Sequence, residues 1–135
     1  MKKVNLEELF FKSLEELGIG VNKAQYEQFM VYKEELLRMN SVMNLTAFTD
    51  DRGIVQKQFI DSAVLLKVLD KAGGVSLIDV GAGAGFPGIP VKILRPSLKL
   101  TLLDSLNKRV VFLDGLSKKL GLEFVSCVHE RAELA

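Results

Sequence analysis

Residues 77–90 read LIDVGAGAGFPGIP, and they combine a carboxylate with closely spaced glycines. Asp79 lies in an apolar run, and Gly81, Gly83 and Gly85 follow at every second position. Glycine lets the backbone approach a ligand closely and adopt positive φ angles. If the apolar run is a strand, the glycines lie at its carboxyl end, where open α/β sheets bind ligands. The stretch therefore predicts a ligand-binding loop.

The spacing of the glycines narrows the class of ligand. A dinucleotide-binding loop needs a third glycine at the position that Phe86 occupies, and Phe86 is too large for close helix–strand packing. A Walker phosphate loop is excluded because no Gly-Lys-Ser/Thr sequence follows. A nucleoside cofactor of the S-adenosylmethionine type fits the loop best. An NAD-type oxidoreductase stays as a weaker alternative, since no residue that would handle a hydride is evident.

A second carboxylate supports a nucleoside ligand. Asp104 ends the apolar run LTLLD, 23 residues after Gly81. A carboxylate there can accept hydrogen bonds from both ribose hydroxyls. The third apolar run leads into residues 129–133, which should reach the same rim, where an adenine would lie. Simpler explanations are that the glycines only form a turn and that Asp104 only caps the following helix.

The elements around the loop alternate between strand and helix. We predict strands over 75–80, 98–103 and 122–128, and helices over 88–94 and 107–120. This order predicts a doubly wound parallel α/β sheet, and the first strand should be buried on both faces. We assign residues 74–135 to the first half of a Rossmann-like cofactor-binding domain.

Residues 1–73 show helical periodicity and form a predicted N-terminal helical region. Asn5 and Asn22 are placed to cap the first two helices. We expect Asn40-Ser41 to interrupt the second helix. A short helix should follow through Ile54, Val55 and Phe59, and Asp61-Ser62 should open another.

Composition excludes several classes of function. The chain has 135 residues, a net charge of +1, one cysteine (Cys127) and one histidine (His129). These residues allow no intrachain disulfide, and they supply too few sulfur and nitrogen ligands for a structural zinc site, so we expect no bound metal. A signal peptide and an 18-residue apolar run are both missing, so we expect a cytoplasmic protein without a membrane partner.

Three segments, DVGAGAGFPGIP, LTLLDSLNKRVVFL and HERAE, resemble the glucose-inhibited division protein B family. Asn44-Leu45-Thr46 and Asp61-Ser62 match the lead-in of that family. The resemblance covers about residues 40–133. It implies a class I S-adenosylmethionine methyltransferase with a Rossmann-like parallel sheet and an N-terminal helical cap. The implied substrate is ring nitrogen seven of a guanine in small-subunit ribosomal RNA, free or in the ribosomal subunit.

The resemblance also implies roles for individual residues. The expected cofactor contacts are Gly81, Gly83, Gly85 and Phe86 for the methionine and ribose, Asp79 below the methionine end, Asp104 for the ribose hydroxyls, and Ala132 and Glu133 for the adenine. We assign no catalytic acid or base. Basic residues that could meet RNA, or could simply be solvated, are Arg52, Lys57, Lys108, Arg109 and Arg131.

The chain also departs from the family pattern. Gln58 stands where the family usually has a histidine, which puts RNA affinity or local packing in question. The family's sheet continues beyond the third strand, and an arginine expected on the next strand is absent here. We therefore expect a truncated chain that is inactive alone and binds cofactor weakly. Its first strand would be an open edge that invites non-native oligomers. The alternative is a non-catalytic nucleotide-binding module with the same fold.

Overall fold

The computed structural model describes residues 5–43, 53–73 and 76–130. The helices are α1 (Leu6–Glu16), α2 (Lys23–Met43), a π-helical segment (Ile54–Phe59), α3 (Ile60–Ala72), α4 (Gly88–Leu94) and α5 (Asn107–Lys119). The strands are β1 (Ser76–Val80), β2 (Lys99–Asp104) and β3 (Val125–His129).

The three strands form one parallel sheet in the order β1-β2-β3. Ser76 pairs with Lys99 at the start of β1, and Leu100 pairs with Val125 between the other two strands. α4 connects β1 to β2, and α5 connects β2 to β3. The predicted parallel β-α-β-α-β arrangement is confirmed.

The N-terminal helices pack on the two crossover helices. The Gln25 side-chain amide donates a hydrogen bond to the carbonyl of Ile93 at the end of α4 (3.0 Å). The Gln28 amide donates to the carbonyl of Leu120, which follows α5 (2.8 Å). One apolar cluster runs from α1 and α2 through the crossover helices to the sheet. The boundary at residue 73, where Gly73 ends α3 with a φ of 69°, stays a prediction as a domain limit.

Both predicted caps are confirmed. The Asn5 side-chain oxygen accepts a hydrogen bond from the Glu8 N–H (3.1 Å). Asn22 and Gln25 form a reciprocal capping box, in which each side-chain oxygen accepts from the other residue's N–H (2.8 and 2.9 Å).

Two predicted helix limits are wrong. α2 continues through Asn40-Ser41 to Met43, because weak helix propensity at two residues does not by itself break a helix that packs against other elements. Asp61-Ser62 open no new helix. Phe59 already has helical angles (φ −72°), and the π-helical segment leads directly into α3.

Two strand predictions also need correction. β1 is not buried on both faces: Ile78 and Val80 are 63 % and 55 % exposed, because no described element covers their face of the sheet. β3 starts at Val125 rather than Leu122, since Phe124 adopts a positive φ of 60° and ends a turn there.

Candidate functional site

The glycine loop leaves β1 against the carboxyl end of β2. The N–H groups of Gly81 and Ala82 both donate to the carbonyl of Leu103 (2.8 and 3.0 Å). Gly81, Gly83 and Gly85 all have positive φ, at 70°, 53° and 94°. Residues with a Cβ rarely adopt such angles, so this backbone path requires glycine.

The glycines of the loop differ in what surrounds them. A Cβ added at Gly81 would meet nothing within 4 Å. At Gly85 it would lie 2.8 Å from the Tyr32 hydroxyl, and at Gly88 it would lie 2.9 Å from a carboxylate oxygen of Asp79. Gly88 thus provides the close helix–strand approach for which Phe86 is too large. The sequence analysis did not assign this role, although the Phe-Pro-Gly run was its signal.

Asp79 is buried on the inner face of β1. Its Oδ2 atom accepts a hydrogen bond from the N–H of Gly88 (3.1 Å), which ties the strand to the start of α4. The pKa of Asp79 is raised from 3.8 to about 6, chiefly by burial and also by the nearby Asp104 carboxylate, while the Gly88 hydrogen bond opposes the shift. The group is ionised at neutral pH but poorly compensated, so a cationic ligand beside it would stabilise its charged form.

Asp104 connects the loop to the start of α5. Its Oδ2 atom accepts from the Gly83 N–H and its Oδ1 atom from the Leu106 N–H, both at 2.9 Å. The Arg109 guanidinium lies 3.8 Å from Oδ2, and the aspartate side chain is 2 % exposed. Asp104 therefore bonds Leu106, the residue before α5, and holds the glycine loop. It does not cap α5, which has no side-chain cap hydrogen bond, so the simpler explanation is wrong.

Phe86 faces the helical layer. Its ring stacks on Tyr32 with centroids 5.3 Å apart and lies 6.0 Å from the ring of Phe59. The Tyr32 hydroxyl, fully buried, donates a hydrogen bond to the carbonyl of Ala84 at 2.6 Å. Sequence reasoning missed Tyr32. Its position three residues after the core residue Phe29 was the available signal, but this signal indicates burial and not contact with the loop.

The third strand closes the rim. The His129 Nε2–H donates to the carbonyl of Ser105 (3.0 Å), and the Glu130 N–H donates to the carbonyl of Asp104 (3.0 Å). The predicted residues Arg52, Arg131, Ala132 and Glu133, and the segment Asn44-Leu45-Thr46, lie outside the described residues. Lys57 is exposed and Gln58 half-buried, both in the π-helical segment.

Comparison with known proteins gives the family. Residues 25–135 match the GidB family, described as rRNA small subunit methyltransferase G. The chain belongs to this family. The predicted fold class is confirmed as well, because the parallel sheet with its helices is that of a class I, Rossmann-like methyltransferase.

Several curated GidB-family proteins are similar to the chain, all named ribosomal RNA small subunit methyltransferase G. The one from Clostridium kluyveri is 50 % identical over 118 residues, which are 87 % of this chain and 50 % of the relative. A Staphylococcus epidermidis relative is 50 % identical over 123 residues, or 91 % of this chain and 52 % of its own length. The chain spans about half the length of the curated relatives it matches.

The described residues of this GidB-family chain contain no cluster of three or more His, Cys, Asp or Glu side chains suited to hold a metal ion. Within the same residues, no helix is both long and apolar enough to cross a membrane.

Proposed function

We propose that this protein transfers a methyl group from S-adenosylmethionine to nitrogen seven of a guanine in small-subunit ribosomal RNA. The observation that carries the proposal is the glycine loop between Asp79 and Asp104, at the carboxyl edge of a parallel sheet. The relatives' names supply ribosomal RNA as the substrate class. The cofactor and the nitrogen follow from the resemblance of the quoted motifs.

The residues around the loop fit the proposed cofactor. Gly81 and Gly83 leave open space where a side chain would otherwise stand, since a Cβ at Gly83 would meet only the Gly81 carbonyl, 3.8 Å away. A methionine and ribose moiety could lie against this bare backbone. Phe86 would support the loop from the side of the helices, and Ala132 and Glu133 would line the adenine.

Asp104 would hold the ribose. Two backbone N–H groups already bond its oxygens, and a carboxylate has about four acceptor sites, so capacity for the ribose hydroxyls remains. The side chain is 2 % exposed, so the ribose reaches it only if the loop at Gly83 moves away. The hydroxyls would then bond the acceptor sites that the Gly83 and Leu106 N–H groups leave free.

The residues at hand suit this chemistry without an acid or base. When bound, the cofactor supplies an electrophilic methyl group on a sulfonium. Nitrogen seven of guanine carries a lone pair and no proton, so no residue has to remove one. The chain contributes by orienting the reactants and by its carboxylates, Asp79 and Asp104, which favour a positively charged ligand.

Calorimetric titration of the 135-residue chain with S-adenosylmethionine tests the proposal. We expect binding, and we expect Asp104→Asn to weaken it about tenfold, in line with the loss of a charge-assisted hydrogen bond. Asp114→Asn is the matched control, because Asp114 is exposed on α5 and pairs only with Lys118 among the described residues. Binding of NAD in place of S-adenosylmethionine would contradict the proposal.

Methyl transfer is measured on small-subunit ribosomal RNA from a strain that lacks the modification. The full-length Clostridium kluyveri relative serves as the positive control. Because we expect this chain to be inactive alone, the assay also uses this chain joined to the part of the relative that it does not match. Methyl transfer by the joined protein would support the proposed function, whereas cofactor binding without transfer would favour the non-catalytic binding module.

A further inference from the structure

A groove of about 620 Å³ lies between α2 and α5. Its lining residues are Glu35, Arg38 and Met39 on α2, and Lys108, Val111, Phe112, Gly115, Leu116 and Lys119 on α5. Of these residues, only Lys108 was among the basic residues that the sequence offered for contact with RNA.

The floor of the groove is apolar and partly aromatic. Val111 is 63 % exposed there, and Phe112 is half-buried. Gly115 leaves the wall open, since a Cβ at that position would meet nothing within 4 Å. Aromatic and apolar side chains in an accessible groove can stack against unpaired nucleic-acid bases.

The rim of the groove is positively charged. The single carboxylate in the lining, Glu35, already bonds Lys119 (2.5 Å) and Arg38 (2.6 Å). Hydrogen bonds from these two residues, first Lys119 and then Arg38, lower the pKa of Glu35, so it is ionised at neutral pH. Lys108 is exposed and has no ion-pair partner among the described residues, which leaves the rim with an excess of positive charge.

The cations are spaced along the length of the groove. Lys108 and Lys119 are eleven residues apart on α5, and a rise of about 1.5 Å per residue separates them by about 16 Å. Lys108 lies in the first turn of α5, next to Arg109, which approaches Asp104 (3.8 Å). Lys108 therefore lies at the end of the groove that is nearer to Asp104, and Lys119 lies at the far end.

We infer that this groove binds the single-stranded RNA that flanks the target guanine, with phosphates on Lys108, Arg38 and Lys119 and a base against Phe112. The inference rests on the proposed function. An enzyme that modifies a base must receive it unpaired, so the adjoining strand is single-stranded where it leaves the crevice. The position of Lys108 at the Asp104 end of α5 favours RNA over an acidic peptide, because the strand attached to the target guanine must leave the crevice near this end.

Fluorescence anisotropy with a labelled single-stranded oligoribonucleotide, over a series of KCl concentrations, tests this inference. Lys108→Gln should reduce the slope of log affinity against log salt by about 0.7, the effect of one lost phosphate contact on a single strand. Lys71→Gln, an exposed lysine on α3, is the matched control and should leave the slope unchanged. Equal slopes for the two variants would overturn the inference.

A second pair of variants tests the floor. Phe112→Leu keeps apolar bulk but removes the ring, and we expect it to weaken RNA binding by about fivefold or more. Phe11→Leu, on α1 and against Tyr26, controls for the general loss of a phenyl ring. Binding of a labelled polyglutamate peptide, with no binding of RNA, would assign the groove to a protein partner instead.

Cofactor titrations of the same variants separate the two proposals. Lys108→Gln and Phe112→Leu should bind S-adenosylmethionine as the unmodified chain does. If the unmodified chain binds RNA through the groove but binds no S-adenosylmethionine, the proposed function is refuted and the RNA-binding role of the groove is supported. If the unmodified chain binds the cofactor and neither groove variant changes the affinity for RNA, only the RNA-binding role of the groove is refuted.

Discussion

The buried hydroxyl of Tyr32 donates a hydrogen bond to the carbonyl oxygen of Ala84 at 2.6 Å. Ala84 lies between two of the loop glycines, and the Tyr32 ring stacks on Phe86 two residues further along. Burial raises the pKa of Tyr32, so the hydroxyl keeps its proton and stays a donor. Helix α2 thereby fixes the path of the loop from outside the sheet, which makes the N-terminal helices part of the site.

Tyr32→Phe should loosen the loop while it keeps the stacked ring. The Ala84 carbonyl would lose its hydroxyl donor, so we expect the free energy of unfolding to fall by about 1 kcal/mol. We also expect the affinity for S-adenosylmethionine to fall about fivefold, because part of the binding energy must then order the loop. Urea denaturation and calorimetric titration measure the two effects.

The matched control is Tyr26→Phe, on the same helix. The Tyr26 ring packs on Phe10 and Phe11, away from the loop. This control should leave cofactor affinity unchanged. Equal affinities for Tyr32→Phe and the unmodified chain would show that α2 does not position the loop.

Asp79 gives the fold a defined dependence on pH. Its pKa is about 6 in the folded chain, above the ordinary value of 3.8, so the folded state binds more protons between these values. The associated stability is therefore present below about pH 4 and is lost as pH rises through about 6. Asp79→Asn removes this titration. The quantity to compare is the free energy of unfolding of the variant minus that of the unmodified chain. We expect this difference to be about 2 to 3 kcal/mol larger at about pH 8 than at about pH 4.

Urea denaturation at both pH values measures that change. Asp70→Asn is the control, because Asp70 is an exposed carboxylate that pairs with Arg95 on the surface (2.6 Å). If the variant and the unmodified chain differ by the same free energy of unfolding at both pH values, burial does not raise the pKa of Asp79.

Gly88 can be tested against a glycine that has space around it. In Gly88→Ala the new Cβ would lie 2.9 Å from both Asp79 Oδ2 and Leu102 Cδ2, and we expect overpacking to cost about 1 to 3 kcal/mol. In Gly20→Ala the Cβ meets nothing within 4 Å, and we expect a gain of up to about 1 kcal/mol. Denaturation midpoints should therefore move in opposite directions. A shift of the same sign for both would contradict the close packing of α4 on the sheet.

The hydrophobic periodicity and the helix-capping residues made much of the fold predictable. Alternating strand and helix patterns gave the parallel sheet, and Asn5 and Asn22 marked helix starts because a cap is a local interaction. The predicted break at Asn40-Ser41 failed for the opposite reason, since tertiary packing along α2 overrides a weak local propensity.

The candidate site was predictable in its types of residue but not in its contacts. The sequence placed Asp79 and Asp104 at strand ends, where the structure has them. The bond between Asp104 and the Gly83 N–H, and that between Tyr32 and Ala84, join residues 21 and 52 positions apart. No local pattern encodes such pairs, because they depend on how separate elements pack. The cofactor roles themselves stay proposals.

The uncovered face and edge of β1 predict self-association of the 135-residue chain. Within the described part of the chain, β1 pairs only with β2, and its side chains Ile78 and Val80 are exposed. An unpaired strand edge with apolar side chains is a template for another chain. We expect concentration-dependent oligomers in sedimentation velocity, and we expect Ile78→Lys to reduce them. Val68→Lys, an exposed valine on α3, is the control and should leave the distribution unchanged. Monomers at every concentration, or equal effects of the two lysines, would show that β1 is not the contact.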